Sequence, residues 1–149
     1  MEAVIFVGLQ ASGKSTFYRE RFFDSHIRLN LDMLRTRHRE ALLLKACLEA
    51  KQPFVVDNTN PTPADRQRYI VPAREQRFRV VGYYFRSQID ECQKRNEGRE
   101  GHRAIPVAAL LGTYRKLEIP HLEEGFNELK YVTIVPGGGF AVKEWSDEV

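Results

Sequence analysis

Gly8, Gly13, Lys14 and Ser15 stand in the run "GLQASGKST", with four residues between the two glycines. Side chains of these types at this spacing can hold a polyphosphate. The glycines let the backbone curl until its amides point inward at an anion, and a helix beginning here adds positive potential at its N-terminus. Lys14 then reaches the outer phosphates, Ser15 offers its hydroxyl to magnesium, and Thr16 completes the nucleotide-binding set. A glycine-rich turn with a surface lysine has similar letters, but the apolar run before the loop and the helical pattern after it favour the phosphate loop. Such a loop identifies the donor of a phosphate. The acceptor must be identified elsewhere in the chain.

Three further groups of residues have the chemistry to complete a transfer. Asp32 and Arg35, spaced i, i+3 at the start of a helical pattern, can place a carboxylate and a guanidinium on one side. Such a carboxylate can take a proton from an attacking hydroxyl, and such a guanidinium can hold an anion on the acceptor. The same pair also fits a helix cap with a solvated arginine. Asp57, in "VVDNTN", closes an apolar strand at the end where open α/β sheets bind ligands. There it can hold magnesium or a water on the metal, although the string is also a good turn sequence. Arg95 and Arg99 precede a glycine-broken, arginine-rich stretch that also carries His102 and Arg103. This stretch can form a lid whose arginines neutralise phosphate charge, Arg99 being the first choice and Arg95 the second.

These residues need a scaffold, and the hydrophobic period supplies one. Short β-branched or aromatic runs alternate with helical patterns, which predicts a mainly parallel sheet flanked by helices. Strands are expected at residues 3–7, 53–58 and 78–85, with a shorter one in "HIRLN". Helices are expected from Lys14 to about Phe23, over residues 32–51 without a break, from about Ala64 to Glu75, from about Gln88 to Glu97, and over 106–117 with Pro106 in its first turn. The end, "YVTIVPGGGFAVKEW", reads as two strands around a glycine turn or as one strand and a tail.

A chain of 149 residues with 42% hydrophobic content suits one well-buried domain, 1–149. A net charge of +3 is too small to argue for a polyanionic partner by itself. Cys47 and Cys92 have neither disulfide-framework nor zinc spacing and read as buried thiols of a reducing compartment. No basic-then-apolar leader and no long apolar window is present, so the expected location is cytoplasmic.

The segments "GLQASGKST", "LNLDMLR", "VVDNTNPTPADR", "KRNEGR" and "AIPVAALLGTYRKLEIPHLEEGF" occur in an order that resembles polynucleotide 5′-kinases, most of all the kinase domain of polynucleotide kinase 3′-phosphatases. The resemblance covers roughly residues 3 to 126 and implies a P-loop kinase fold with an arginine-bearing lid. It implies that Lys14 and Ser15 bind ATP phosphates and Mg2+, that Asp32 is the general base for a 5′-hydroxyl of DNA or RNA, and that Arg35 holds the phosphate on the 3′ side of the acceptor nucleotide. It also places Asp57 between donor and acceptor and makes Arg99 the lid arginine. Two departures stand out: Leu31 occupies a position where the family commonly has arginine, and an extra residue near Glu100 leaves Arg95, Arg99 and Arg103 as alternatives for the lid. A phosphatase-type "DxDGT" signature is absent, so other end-processing or ligase steps would come from separate partners. A kinase of a small metabolite or nucleoside, and a nucleotide-binding switch that does not need Asp32, are the alternative readings.

Overall fold

Strand β1 (Glu2–Val7) alternates its side chains between two faces, yet Ala3 to Val7 are all fully buried. It must therefore be covered on both sides, as expected of a central parallel strand. The computed structural model, which describes residues 1–99, 101 and 104–146, shows how. The chain continues through α1 (Lys14–Arg21), β2 (Ile27–Leu29), α2 (Leu31–Leu34), α3 (Arg37–Ala50), β3 (Phe54–Val56), α4 (Pro63–Glu75), β4 (Arg79–Phe85), α5 (Ile89–Glu97), α6 (Val107–Lys116), β5 (Glu128–Ile134) and β6 (Phe140–Glu144). The strands form one sheet in the order β2-β3-β1-β4-β5-β6, parallel except for the antiparallel hairpin β5/β6. The expected α/β architecture is therefore present, and the C-terminal segment takes its two-strand form.

Alternation sorts the core into two layers. Ala3, Ile5, Val7, Phe54 and Val56 pack with Leu44 and Leu48 of α3 and with Tyr69 and Ile70 of α4. Val4, Phe6, Val55 and Phe85 pack with Phe17, Tyr18 and Phe22 on the opposite face. Cys47 and Cys92 are buried free thiols, as expected. Among the described residues no helix is long and apolar enough to cross a membrane.

The expected continuous helix over 32–51 is two helices. Asn30 caps α2, accepting a bond from the Met33 amide, and the turn ends at Arg35 with φ of 76°. Thr36 then caps α3 by accepting from the Arg39 amide. A threonine hydroxyl competes well for orphan amides at a helix start, and here that local bond restarts the helix. Pro106 is likewise the residue before α6 rather than part of its first turn. Its fixed φ is compatible with either position.

Arg66 of α4 is fully buried. Its guanidinium donates to both carboxylate oxygens of Glu124 at 2.7 and 3.0 Å, and to the carbonyls of Asn60 and Glu118 at 2.9 and 3.1 Å. One side chain thus ties the loop after β3 to the turn before β5. Replacing Arg66 with alanine should lower unfolding stability by about 3–5 kcal/mol, because Glu124, 10% exposed, would lose its charge partner and the carbonyls of Asn60 and Glu118 a donor. Denaturant unfolding checks this, and a loss well under that range would mean that the pair is dispensable.

Candidate active site

The phosphate loop is held from three sides. The Gly8 amide donates to the Thr59 carbonyl at 3.1 Å, and the Leu9 amide donates to the Ser87 hydroxyl at 3.0 Å. Gly13 has φ of 98°, and a Cβ there would lie 2.9 Å from the Phe140 ring and 3.2 Å from Ile134. The β5/β6 hairpin therefore forms the back wall of the loop, and both conformation and space require glycine. At Gly8 a Cβ would come within 3.0 Å of Phe85 and of the Ser12 hydroxyl.

Lys14 is buried, and its ammonium donates to the carbonyls of Gly8 and Leu9 at 2.9 and 2.6 Å, with the Ser12 hydroxyl at 3.5 Å. Burial lowers its pKa to about 8, while the negative charges of Asp57 and Asp32 oppose the shift and the Arg99 guanidinium reinforces it. Asp32, Asp57 and Arg99 come from three separate elements, yet all act on this one ammonium.

Beside the lysine, the Ser15 hydroxyl donates to Asp57 Oδ2 at 2.9 Å. Asp57 is 1% exposed at the end of β3, and Asn30 Nδ2 holds its backbone carbonyl at 2.6 Å. Two hard oxygen donors at this separation suit magnesium that keeps its remaining positions for phosphate and water. Among the described residues no cluster of three His, Cys, Asp or Glu side chains offers a metal cage. Sequence reasoning missed the third member of this cluster. Arg28 of β2 donates through Nε to Asp57 Oδ2 at 2.8 Å and through Nη2 to the Ser15 hydroxyl at 2.9 Å. The available signal was a charged residue between Ile27 and Leu29 in a short strand, which alternation directs away from the face of Leu29.

The expected acceptor residues lie on α2. Asp32 is exposed in its first turn, and Arg35 is exposed at its C-terminal cap, so the pair shares a single helical turn separate from α3. Behind them lies a second network not foreseen from sequence. Buried Glu40 accepts from Tyr69 at 2.9 Å, from Arg37 at 2.9 Å and from Asn58 Nδ2 at 3.0 Å, while Asn58 Oδ1 accepts from the Leu31 amide at 3.0 Å. Asn58 thereby joins the segment that follows β3, which carries Asp57, to the start of the helix that carries Asp32.

The arginines after β4 divide between two settings. Arg95 turns back onto the phosphate loop, donating to the Ala11 carbonyl at 2.7 Å, with Glu91 at 3.7 Å. Arg99 follows α5, its amide donates to the Asn96 carbonyl at 3.1 Å, and its charge is felt at Lys14. Thr16, on the exposed side of α1, accepts from Arg19 at 3.4 Å. Glu100, His102 and Arg103 lie outside the described residues.

This geometry agrees with what the chain is similar to. Residues 4–118 match the family model described as an AAA domain. A bifunctional polynucleotide phosphatase/kinase of Schizosaccharomyces pombe is 30% identical over 138 residues, 88% of this chain and 33% of that protein. The chain spans about a third of the length of the curated relatives it matches. Among solved structures, Kti12 of Chaetomium thermophilum in complex with ADP-AlF3 superposes with a TM-score of 0.66 at 14% identity, covering 88% of each chain. A gluconokinase of Sinorhizobium meliloti gives 0.62 at 17% identity, covering 87% of this chain and 82% of that one. At such identities these structures speak for the shared fold. The motif resemblance to polynucleotide kinases is borne out by the curated relatives, and the family model spans most of the chain; the protein belongs to the AAA domain family.

Proposed function

We propose that this protein transfers the γ-phosphate of ATP to the 5′-hydroxyl end of DNA or RNA. The observation that carries the reading is the bond network that ties the phosphate loop to α2: Ser15 donates to Asp57, Asn30 Nδ2 donates to the Asp57 carbonyl while its Oδ1 caps α2, and Asn58 accepts from the Leu31 amide beside Asp32. A nucleotide switch needs the loop but not an exposed carboxylate on a helix tied to it. Similarity to a polynucleotide phosphatase/kinase over 88% of the chain supports a nucleic-acid acceptor.

In this reading Lys14 leaves the carbonyls of Gly8 and Leu9 and moves its charge onto the outer phosphates. Gly8, Gly13 and Thr16 belong to the anion cradle at the start of α1. Ser15 and Asp57 would hold magnesium, which would supply charge neutralisation on the phosphates. Asp32 accepts the proton of the attacking 5′-hydroxyl as its oxygen closes in line on the γ-phosphorus, and the bond from that phosphorus to the β–γ bridging oxygen breaks opposite it, releasing ADP. Arg35 grips the phosphate on the 3′ side of the acceptor nucleotide, and a bidentate guanidinium fits that task. Arg99 offsets charge on the transferring group, and Arg95 supports the nucleotide from the Ala11 side of the loop.

The direct test is Asp32→Asn, which removes the base and keeps the volume. Transfer to a 5′-hydroxyl oligonucleotide should fall by roughly 10²–10⁴-fold, with ATP affinity unchanged. Unimpaired transfer in the variant would exclude Asp32 as the base. An acceptor that is a polynucleotide should also bind less tightly as salt rises, whereas a small neutral acceptor should be indifferent to salt.

Lys14 gives the pH dependence. Phosphates bind the protonated ammonium, and in the nucleotide-free protein its pKa is about 8. Bound phosphate favours the charged form, so binding must take up protons near and above that pH, and ATP affinity should fall as pH rises through about 8. Calorimetry in buffers of different ionisation enthalpy at pH 8.5 should detect this uptake. Zero proton uptake would show that Lys14 is not the group that meets the phosphates.

A further inference from the structure

We propose that Arg28 is a resident cation at the metal position of the phosphate loop, bridging Ser15 and Asp57 until a nucleotide brings a divalent ion that displaces it. The proposal rests on reading Ser15 and Asp57 as metal ligands and does not depend on which acceptor the enzyme phosphorylates.

The three side chains form a closed triangle. Ser15 donates to Asp57 Oδ2 at 2.9 Å, Arg28 Nε donates to the same oxygen at 2.8 Å, and Arg28 Nη2 donates to Ser15 Oγ at 2.9 Å. Because the serine proton points at Asp57, the Arg28 bond takes up a lone pair on Oγ, and a lone pair is what a hard cation would use. Magnesium requires oxygen ligands at about 2.0–2.1 Å in near-octahedral order, so a guanidinium on both oxygens excludes it. The two occupants are alternatives.

The burial of the site explains why something cationic must be present. The Asp57 side chain is 1% exposed, and a carboxylate so far from water needs a positive partner or a metal. Lys14 gives its hydrogen bonds to the loop carbonyls, so the cation in contact with Asp57 comes from β2. Arg28 is also suited to leaving. Its side chain is 26% exposed, and its guanidinium carbon already lies 5.8 Å from the Tyr18 ring, a face on which a displaced arginine can rest. In the nucleotide-free protein the arginine holds Ser15 and Asp57 in place and makes a free metal ion a poor competitor. Phosphate oxygens complete the metal's coordination and add negative charge, which shifts the exchange toward the metal. Metal and nucleotide therefore enter together.

The test uses Mn2+ as the probe, followed by paramagnetic resonance on the full chain, with and without a non-hydrolysable ATP analogue. Without nucleotide, Arg28→Ala should bind Mn2+ about tenfold or more tightly than the wild type, and the gain should vanish in the Arg28→Ala, Asp57→Asn double variant. Arg28→Gln, which keeps a hydrogen-bonding side chain without charge, should show the same direction and serves if the alanine variant unfolds. Equal Mn2+ affinity in the wild type and both Arg28 variants would overturn the proposal. If Asp57→Asn leaves Mn2+ binding unaltered even with nucleotide, the metal-ligand reading itself is wrong and the proposal falls with it, whereas transfer to a different acceptor would leave it standing.

Discussion

Supplying partners to the carboxylate of Asp57, which is almost wholly removed from water, is the constraint around which the site is built. A buried charge without partners would cost several kcal/mol, and Asp57 meets that demand with an arginine and a hydroxyl. Each partner fixes another element. Ser15 brings the first turn of α1, Arg28 brings β2, and Asn30, bonded to the Asp57 carbonyl, caps the helix that carries Asp32. The phosphate loop and the helix that carries Asp32 are thus indexed to one strand end.

Two secondary ties make this arrangement rigid across large sequence distances. Glu40, Tyr69 and Asn58 connect α3 and α4 to the loop after β3, and Arg66 connects that loop to Glu124, 58 residues away. The second tie gives a physical reason why "DNTNPTPADR" and "IPHLEEGF" occur in one chain: each contains half of a buried ion pair. The two core layers pack apolar side chains on either face of the sheet, while the buried charges of Asp57, Glu40 and Arg66 fix the segments around the site.

What the sequence made legible was local. The P-loop spacing, the strand period and the position of Asp57 at a strand end depend on neighbours within a few residues, and all three appear where expected. The split at Arg35 was missed because the helical period of "DMLRTRHREALLL" runs through it, and only the Thr36 cap bond decides otherwise. Arg28, Arg66 and Glu40 were missed because each acts through register and packing, and each has a partner distant in sequence: Ser15 lies 13 residues from Arg28, Tyr69 29 from Glu40, and Glu124 58 from Arg66. A lone charged residue in a sequence gives no hint of the buried partner that justifies it. Sequence alone also could not tell that Arg95 would turn onto the Ala11 carbonyl while Arg99 stayed within electrostatic reach of Lys14.

The measurement that bears most directly on the central claim incubates the protein with γ-labelled ATP, magnesium and matched DNA and RNA oligonucleotides, each prepared with a 5′-hydroxyl or a 5′-phosphate end. A polynucleotide 5′-kinase should place label on the 5′-hydroxyl ends, leave the 5′-phosphate ends unlabelled, and reveal its sugar preference in the same experiment. Absence of label on every oligonucleotide, together with transfer to a small hydroxyl compound under the same conditions, would contradict the polynucleotide reading.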